Sequence, residues 1–500
     1  MNEARKNGSG GNTGGDASTA AASSPAPGGA AAPGAAARLE LVQGLGGWAA
    51  ASIVVGTMIG TGIFLVPSSM ATDSRSIGLV FLAWILGGLL SLAGALSYAE
   101  LGAAIPEAGG DYAYLNRGFG PRWGYLFGWM HSVVGRPCSV ATIAAGLMRF
   151  CGFLRPTIGQ TVVTYPIWMP FAHAPYNFKL SPAQPLAVGA IALVTFINYL
   201  GVRLGGRVQV VLTAIKILAV CAVIVLALAM GQGGISNFQP FLPDAWGAGA
   251  WSGLLAAMVA AAWAYDGWSN VNLVGSEVIN PQRNIPLALV AGVSGVMLLY
   301  LLANAAYFWA LPFAAVAHSQ HVASDVIASF AGSRAARWLT VAMVISALGT
   351  LNSSILSGAR VPYAMGRDGL FFGFTGKVDT KFRTPAGALL FQAYLASVLA
   401  LTGTFEDLFS LFIFAQWIFY ALVVASVYGL RRREPDLPRA YRTWGYPWVP
   451  GVFIAGAFAL TVSLWAAHPV RSTIGLALIL LGLVFYPRWQ RGAAAARNAG

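Results

Sequence analysis

Between residues 45 and 487 the chain returns again and again to apolar stretches of roughly 17–25 residues, the length an α-helix needs to cross a bilayer core of ~30 Å. We count twelve: 45–70, 77–104, 121–150, 185–201, 207–231, 250–276, 286–311, 336–363, 385–403, 406–430, 446–467 and 471–487. Charged residues make up only 9% of the chain, against about 25% in soluble proteins. So few charges cannot cover a water-facing surface, so lipid must solvate most of this molecule. The expected fold is all-α, a twelve-helix integral membrane protein.

The ends have a different composition. Residues 1–40 are dominated by Gly, Ala, Ser and Pro, which cannot bury a core, and they lack the apolar centre of an export signal. They are expected to form a disordered tail, as are residues 489–500. The membrane domain proper is expected over 41–488. Its three cysteines, Cys138, Cys151 and Cys221, lie in or beside apolar runs with no metal spacing. No metal or other cofactor is expected.

Net charge is +13, and its distribution explains it. With an even number of spans, 21 of the 30 Lys and Arg fall in the tails and in loops on the same side as both termini. Seven fall on the other side, and Arg136 and Lys216 lie within spans. This positive-inside bias predicts that both termini are cytoplasmic, and no motif supports a nucleic-acid partner. The histidines (His131, His173, His318, His321 and His468) form no HExxH pattern, which argues against a membrane enzyme.

Two spans are interrupted by residues that weaken a helix in mid-membrane. The first contains Gly56-Thr57-Met58-Ile59-Gly60-Thr61-Gly62, and the sixth contains Trp263-Ala264-Tyr265-Asp266-Gly267-Trp268-Ser269. Spans one and six are matching members of two five-helix halves, about 45–231 and 250–430, with two further helices over 446–487. An odd number of spans per half inverts the second half relative to the first. Matching interruptions in inverted halves point to a transporter's central site, although Gly56 and Gly60 also have the spacing of a helix-packing seam.

Broken helices expose their ends. A half-helix beginning at Thr61 and Gly62 offers free N–H groups to a carboxylate, and the Thr61 hydroxyl adds a donor. Halves ending near Met58 and Trp263 offer carbonyls to an ammonium. A pocket that takes both groups is suited to an α-amino acid. Asp266, a carboxylate at mid-membrane depth, either binds a cationic substrate side chain, carries a proton, or bonds neighbouring N–H groups. Lys216 lies too deep in span five for easy snorkelling.

Several longer motifs are similar to those of the amino acid–polyamine–organocation superfamily, specifically its L-type amino acid transporter branch. They are GTMIGTGIF (56–64), IPEAGGDYAYLNRGFGP (105–121), Arg136-Pro137 followed by Ser139, AYDGWSN (264–270), SEVINPQRNIP (276–286), SGARVPYAMGRDGLF (357–371) and DLPRAYRTWGYP (436–447). The resemblance implies a LeuT-type five-plus-five inverted repeat, alternating access, and substrate binding at Met58, Ile59, Gly60, Thr61, Gly62, Trp263, Asp266, Gly267 and Ser269. It implies that Trp263 is the gating aromatic and that Lys216 replaces a coupling sodium ion, so that exchange or proton-linked symport is sodium-independent. Relatives with an acid at the Asp266 position include the light chain for cystine and dibasic amino acids, which implies a basic-plus-neutral range.

Trp417, Tyr420 and Asn352 are further candidates for the pocket. For Asn352, with Ser353 and Ser354, bonding between helices is the alternative. Arg136 is expected to pair with carbonyls or an acid, and His131 to pack in the core. Animal members of the branch join a glycoprotein through a loop cysteine after span three. Residues 152–184 contain none, so we expect a bacterial inner-membrane monomer without a covalent partner. A polyamine permease and a non-transporting amino-acid sensor on the same fold are the competing readings.

Overall fold

A computed structural model describes residues 41–167, 176–402 and 405–498. The expected tail over residues 1–40 lies outside the described residues. Among those described, nine apolar helical stretches are long enough to cross a membrane. They are Gly47–Ser74, Ile77–Ala104, Pro121–Leu154, Val202–Met230, Pro281–Ala310, Val322–Arg367, Ile413–Arg433, Trp448–Ala467 and Pro469–Gly492. Three shorter apolar helices, Ala183–Tyr199, Ala248–Ala264 and Ala386–Thr402, fall where the sequence places its fourth, sixth and ninth spans.

The first stretch is two helices, α1 (Gly47–Met58) and α2 (Gly62–Ser74), separated by three residues that leave the helix. Next come α3 (Ile77–Ala104) and α4 (Asp111–Phe119), a short polar helix outside the spans. α5 (Pro121–Trp129) and α6 (Arg136–Leu154) form the third span, joined by a wide π-helical turn over Met130–Gly135. Pro137 sits at the start of α6, where its missing N–H leaves the preceding turn without a normal bond.

α7 (Ala183–Tyr199) and α8 (Val202–Met230) complete the first half. α9 (Ala248–Ala264) stops at Tyr265, and the chain resumes briefly as α10 (Asn270–Leu273). Gly267 lies between them at φ +103°, a conformation open to glycine and strained for other residues. The remainder comprises α11 (Pro281–Ala310), α12 (Phe313–His318), α13 (Val322–Gly358), α14 (Arg360–Arg367), α15 (Ala386–Thr402), α16 (Phe405–Arg433), α17 (Trp448–Ala467) and α18 (Pro469–Asn498).

Among the described residues the structure departs from the all-α expectation in one place. Within the loop after the third span, β1 (Val163–Ile167) and β2 (Tyr176–Leu180) pair antiparallel, Val163 opposite Leu180. Val163, Thr164, Tyr165 and Ile167 in one strand and Tyr176 and Phe178 in the other are residue types that favour strands. A second correction concerns the C-terminus, where helix continues to Asn498 rather than ending near residue 488. Alanine and arginine are strong helix formers, so a low-complexity run need not be coil.

The buried core lies where α1, α8, α11 and α13 surround the first break. At one end of the bundle the backbone is knitted together. Gly44 N and Leu45 N both donate to Glu277 O at 3.0 Å, Ile279 N to Leu45 O, and Gly109 N to Leu273 O. Beside them the fully buried Glu277 carboxylate receives Arg360 in a two-pronged ion pair, at 2.6 and 2.9 Å.

Candidate functional site

A broken helix strands carbonyls and N–H groups in a medium that cannot solvate them, so each must find a partner or face a ligand. At the end of α1 most carbonyls have found one. Lys216, fully buried on α8, donates to Gly56 O at 2.6 Å, Ile59 O at 2.8 Å and Thr350 Oγ1 at 3.0 Å. Ser346 adds a bond to Ile59 O at 3.3 Å. The Tyr300 hydroxyl on α11 bridges the two breaks, binding Met58 O and, at 3.1 Å, Ala264 O. Gly60 N also donates to Met58 O. The expectation of an open carbonyl at Met58 is therefore corrected: protein donors already fill it.

On the other side of the break the donors are open. Among the described residues no acceptor takes the N–H groups of Thr61 and Gly62 or the Thr61 hydroxyl. These groups face a small cavity of about 30 Å³, lined by Thr57, Met58, Gly60, Thr61, Gly62, Ser139, Ile143, Trp263, Ala264, Asp266, Thr350 and Ser354. The Ser354 hydroxyl is buried without a partner. Close approach of the two broken helices builds the cavity. A Cβ on Gly62 would sit 2.9 Å from Ala264 Cα and 3.4 Å from the Trp263 ring, so only glycine fits.

Asp266 lies opposite, at the second break. Its Oδ1 accepts from the Tyr420 hydroxyl at 2.8 Å, and the Gly267 N–H faces the carboxylate. Tyr420 also contacts Ser269 Oγ at 3.0 Å. The side chain that lines the cavity is thus oriented by one that does not.

Met58, Gly60, Thr61, Gly62, Trp263 and Asp266 are brought together in the cavity wall. Ile59, Gly267, Ser269, Trp417, Tyr420 and Asn352 are not part of it. Ile59 contributes its carbonyl to Lys216. Gly267 packs its backbone against Thr57, and Ser269 and Tyr420 act behind Asp266. Trp417 stacks on Phe453 at 5.8 Å. Asn352 binds Gly205 O and Gln209 Oε1 and accepts from Asn198, so it joins helices. Arg136 pairs with an amide instead of an acid, donating to Asn270 Oδ1 at 2.8 Å and to His131 at 3.4 Å. His131 is buried against Phe127, as a core histidine would be.

Sequence reasoning missed Thr57, Ile143, Ala264 and Thr350 as lining residues, and gave Ser139 and Ser354 no firm place. A signal existed for the eighth span: Ser346, Thr350, Ser353 and Ser357 recur at three or four residues, marking one helix face.

Trp263 has a second role. It also lines a groove of about 1160 Å³ with Asp73, Arg149, Phe458 and Arg471, so groove and cavity share this residue.

Helices broken at two facing points around a small polar cavity in an apolar bundle define a membrane transporter. Residues 45–485 match the family described as Amino acid permease, and the chain belongs to that family. It is 33% identical over 444 residues to the b(0,+)-type amino acid transporter 1 of Mus musculus, covering 87% of this chain and 85% of the relative. It is 30% identical over 464 residues to the large neutral amino acids transporter small subunit 2 of Homo sapiens, covering 90% and 80%. The serine/threonine exchanger SteT of Bacillus subtilis (strain 168) is 30% identical over 450 residues, covering 89% and 96%. The chain is a multi-pass amino acid transporter and not an enzyme.

Proposed function

We propose that the protein exchanges neutral and cationic α-amino acids across the plasma membrane, independently of sodium. The substrate carboxylate binds the N–H groups of Thr61 and Gly62 and the Thr61 hydroxyl, where the half-helix dipole adds to the attraction. A cationic side chain is met by Asp266. The observation that carries this reading is the cavity itself, with unpaired donors on one wall and a carboxylate on the other. The substrate ammonium is assigned to the Ser354 hydroxyl, because Met58 O is occupied and Trp263 O accepts from Asp266 N at 3.0 Å.

A cavity of 30 Å³ holds at most two or three waters, since each needs roughly 10–15 Å³ of such volume. Entry of an amino acid therefore requires the walls to part, and Trp263 is the element that moves toward the groove. This supports alternating access on a LeuT-type inverted repeat. The three shorter apolar helices added to the nine long ones make the twelve spans of that architecture, with both termini cytoplasmic. We assign Lys216, whose ammonium binds the carbonyls of Gly56 and Ile59 at the end of α1, to the role of a coupling cation, which supports sodium independence. Residues 152–184 carry no cysteine, and we assign the transporter as a monomer without a covalent partner.

Counterflow in proteoliposomes with labelled amino acids tests this. Wild type should carry neutral and dibasic substrates equally well with and without sodium. Asp266→Asn should weaken arginine uptake by roughly 10- to 100-fold, the worth of one hydrogen bond to a charged group, and spare leucine. Equal arginine transport by both proteins would overturn the role of Asp266, and sodium-stimulated uptake that of Lys216.

A further inference from the structure

Behind Asp266 lies a second buried carboxylate that substrate binding does not use. Asp111 opens α4, is 1% exposed, and has one side-chain donor, the Tyr98 hydroxyl, at 3.1 Å from Oδ2. Among the described residues, its Oδ1 is buried without a partner. Tyr98 packs edge-on against Tyr420, ring centres 6.0 Å apart, and Tyr420 holds Asp266. Each acid thus accepts from a tyrosine hydroxyl, and the two tyrosine rings pack against each other. The two residues that follow Asp111 in α4, Tyr112 and Ala113, line a cavity of about 770 Å³ whose wall does not include Asp111 itself.

Around Asp111, Glu107 is exposed and acts on Tyr114 and Arg117, and His131 accepts from Arg136. α6 brings Arg136 and the break region brings Asp266; both act on Asp111 electrostatically. α3 brings Tyr98, α16 brings Tyr420, and α4 itself brings Tyr114, bound to Asn272. Arg117, Arg433 and Glu434 gather at the opposite end of α4, where Arg117 pairs with Glu434 and Arg433 binds Gly118 O. Asp368 is bound to Tyr112, and Glu277 is closed on Arg360. Lys216 is not among the charges acting on either carboxylate. The buried constellation therefore holds two carboxylates and one cation, Arg136.

With both acids ionised it carries an uncompensated negative charge in a medium where that is costly. A proton on Asp111 cancels it when the substrate is neutral. The ammonium or guanidinium of a dibasic substrate at Asp266 cancels it equally well. We propose that Asp111 is a proton site linked to substrate charge, protonated with neutral substrates and giving up its proton to solvent when a cationic side chain binds Asp266. The linkage rests on the assignment of Asp266 to cationic side chains. Burial pushes the Asp111 carboxyl up to about 7, partly offset by Tyr98 and Arg136 and reinforced by Asp266, so the exchange falls in the physiological range.

The sign follows from linkage: what releases a proton binds better as pH rises, by at most about tenfold per pH unit for one proton. In proteoliposomes at equal internal and external pH, the KM for labelled arginine should fall roughly three- to tenfold from pH 6 to pH 8 relative to that for leucine. Asp111→Asn should abolish that relative slope. Tyr98→Phe removes the donor that favours the ionised form, and should move the midpoint to higher pH; it serves if the Asn variant does not fold. Adding arginine, and not leucine, to weakly buffered wild-type protein near pH 7 should release protons. Arginine transport with a slope equal to that of leucine, or a slope unchanged in Asp111→Asn, would overturn the proposal alone. Failure of wild type to carry arginine would overturn the Asp266 assignment, and with it this linkage.

Discussion

Gly62→Ala adds one methyl at the closest contact between the broken helices. That carbon would lie 2.9 Å from Ala264 Cα and 3.0 Å from Ala264 Cβ, whereas carbon atoms rest at about 3.5–4.0 Å. The near atom is backbone, so no rotamer change relieves it, and α2 and α9 must separate by more than half an ångström. Overpacking of this kind costs about 1–3 kcal/mol, and each 1.4 kcal/mol is tenfold in an equilibrium constant. The separation also pulls the Gly62 N–H off the line to a bound carboxylate. We therefore expect the KM for a neutral amino acid to rise about 5- to 100-fold in counterflow assays, with a lower melting temperature in detergent. Gly295→Ala is the control. It sits on the exposed face of α11 with nothing within 4 Å of the added carbon, and should be neutral or stabilising by up to ~1 kcal/mol. If Gly62→Ala matches wild type in both KM and melting temperature, the close contact does not govern binding and the site is misassigned.

Two further perturbations examine the frame around the site. Lys216→Met removes an ammonium shared by three acceptors and leaves Ile59 O mainly to Ser346. With lost charged hydrogen bonds set against relief of desolvation, the net loss should be about 2–4 kcal/mol, with transport falling more than tenfold. An unchanged melting curve would refute that balance. Glu277→Gln strands the buried Arg360 charge and should cost about 3–5 kcal/mol; adding Arg360→Met should recover most of the loss. Additive losses in the double-mutant cycle would mean that the pair is not coupled.

Much of this was legible in one dimension because lipid imposes simple rules. Apolar runs of spanning length mark helices, and glycine beside threonine or aspartate within such a run marks a break. Both breaks fall in the structure where the sequence places them, at 59–61 and 265–269. The sequence also marked Asp266 and Lys216, since an ionisable group within a span is too costly to be incidental. Local composition misled where it lacked long-range information. The loop at 163–180 forms a hairpin through pairing across a gap, and the Ala- and Arg-rich end is helical to Asn498.

What no linear reading could decide is which orphan groups stay open. Broken helices guarantee unpaired carbonyls and N–H groups, and periodicity cannot say which of them a distant helix will reach. Tyr300, 242 residues from Met58 along the chain, takes the carbonyl the sequence left for a substrate. Lys216 takes two more from 157 and 160 residues away, and the donors at Thr61 and Gly62 are left free. The same limit separates Asp266, which reaches the cavity, from Tyr420, which only orients it, and hides Asp111 in a loop motif until folding carries it behind the pocket. The sequence by itself determined where the chain breaks in the membrane, because desolvation acts on each residue locally. Only the tertiary structure decided which broken ends remain for a ligand, because hydrogen-bond satisfaction is settled between helices.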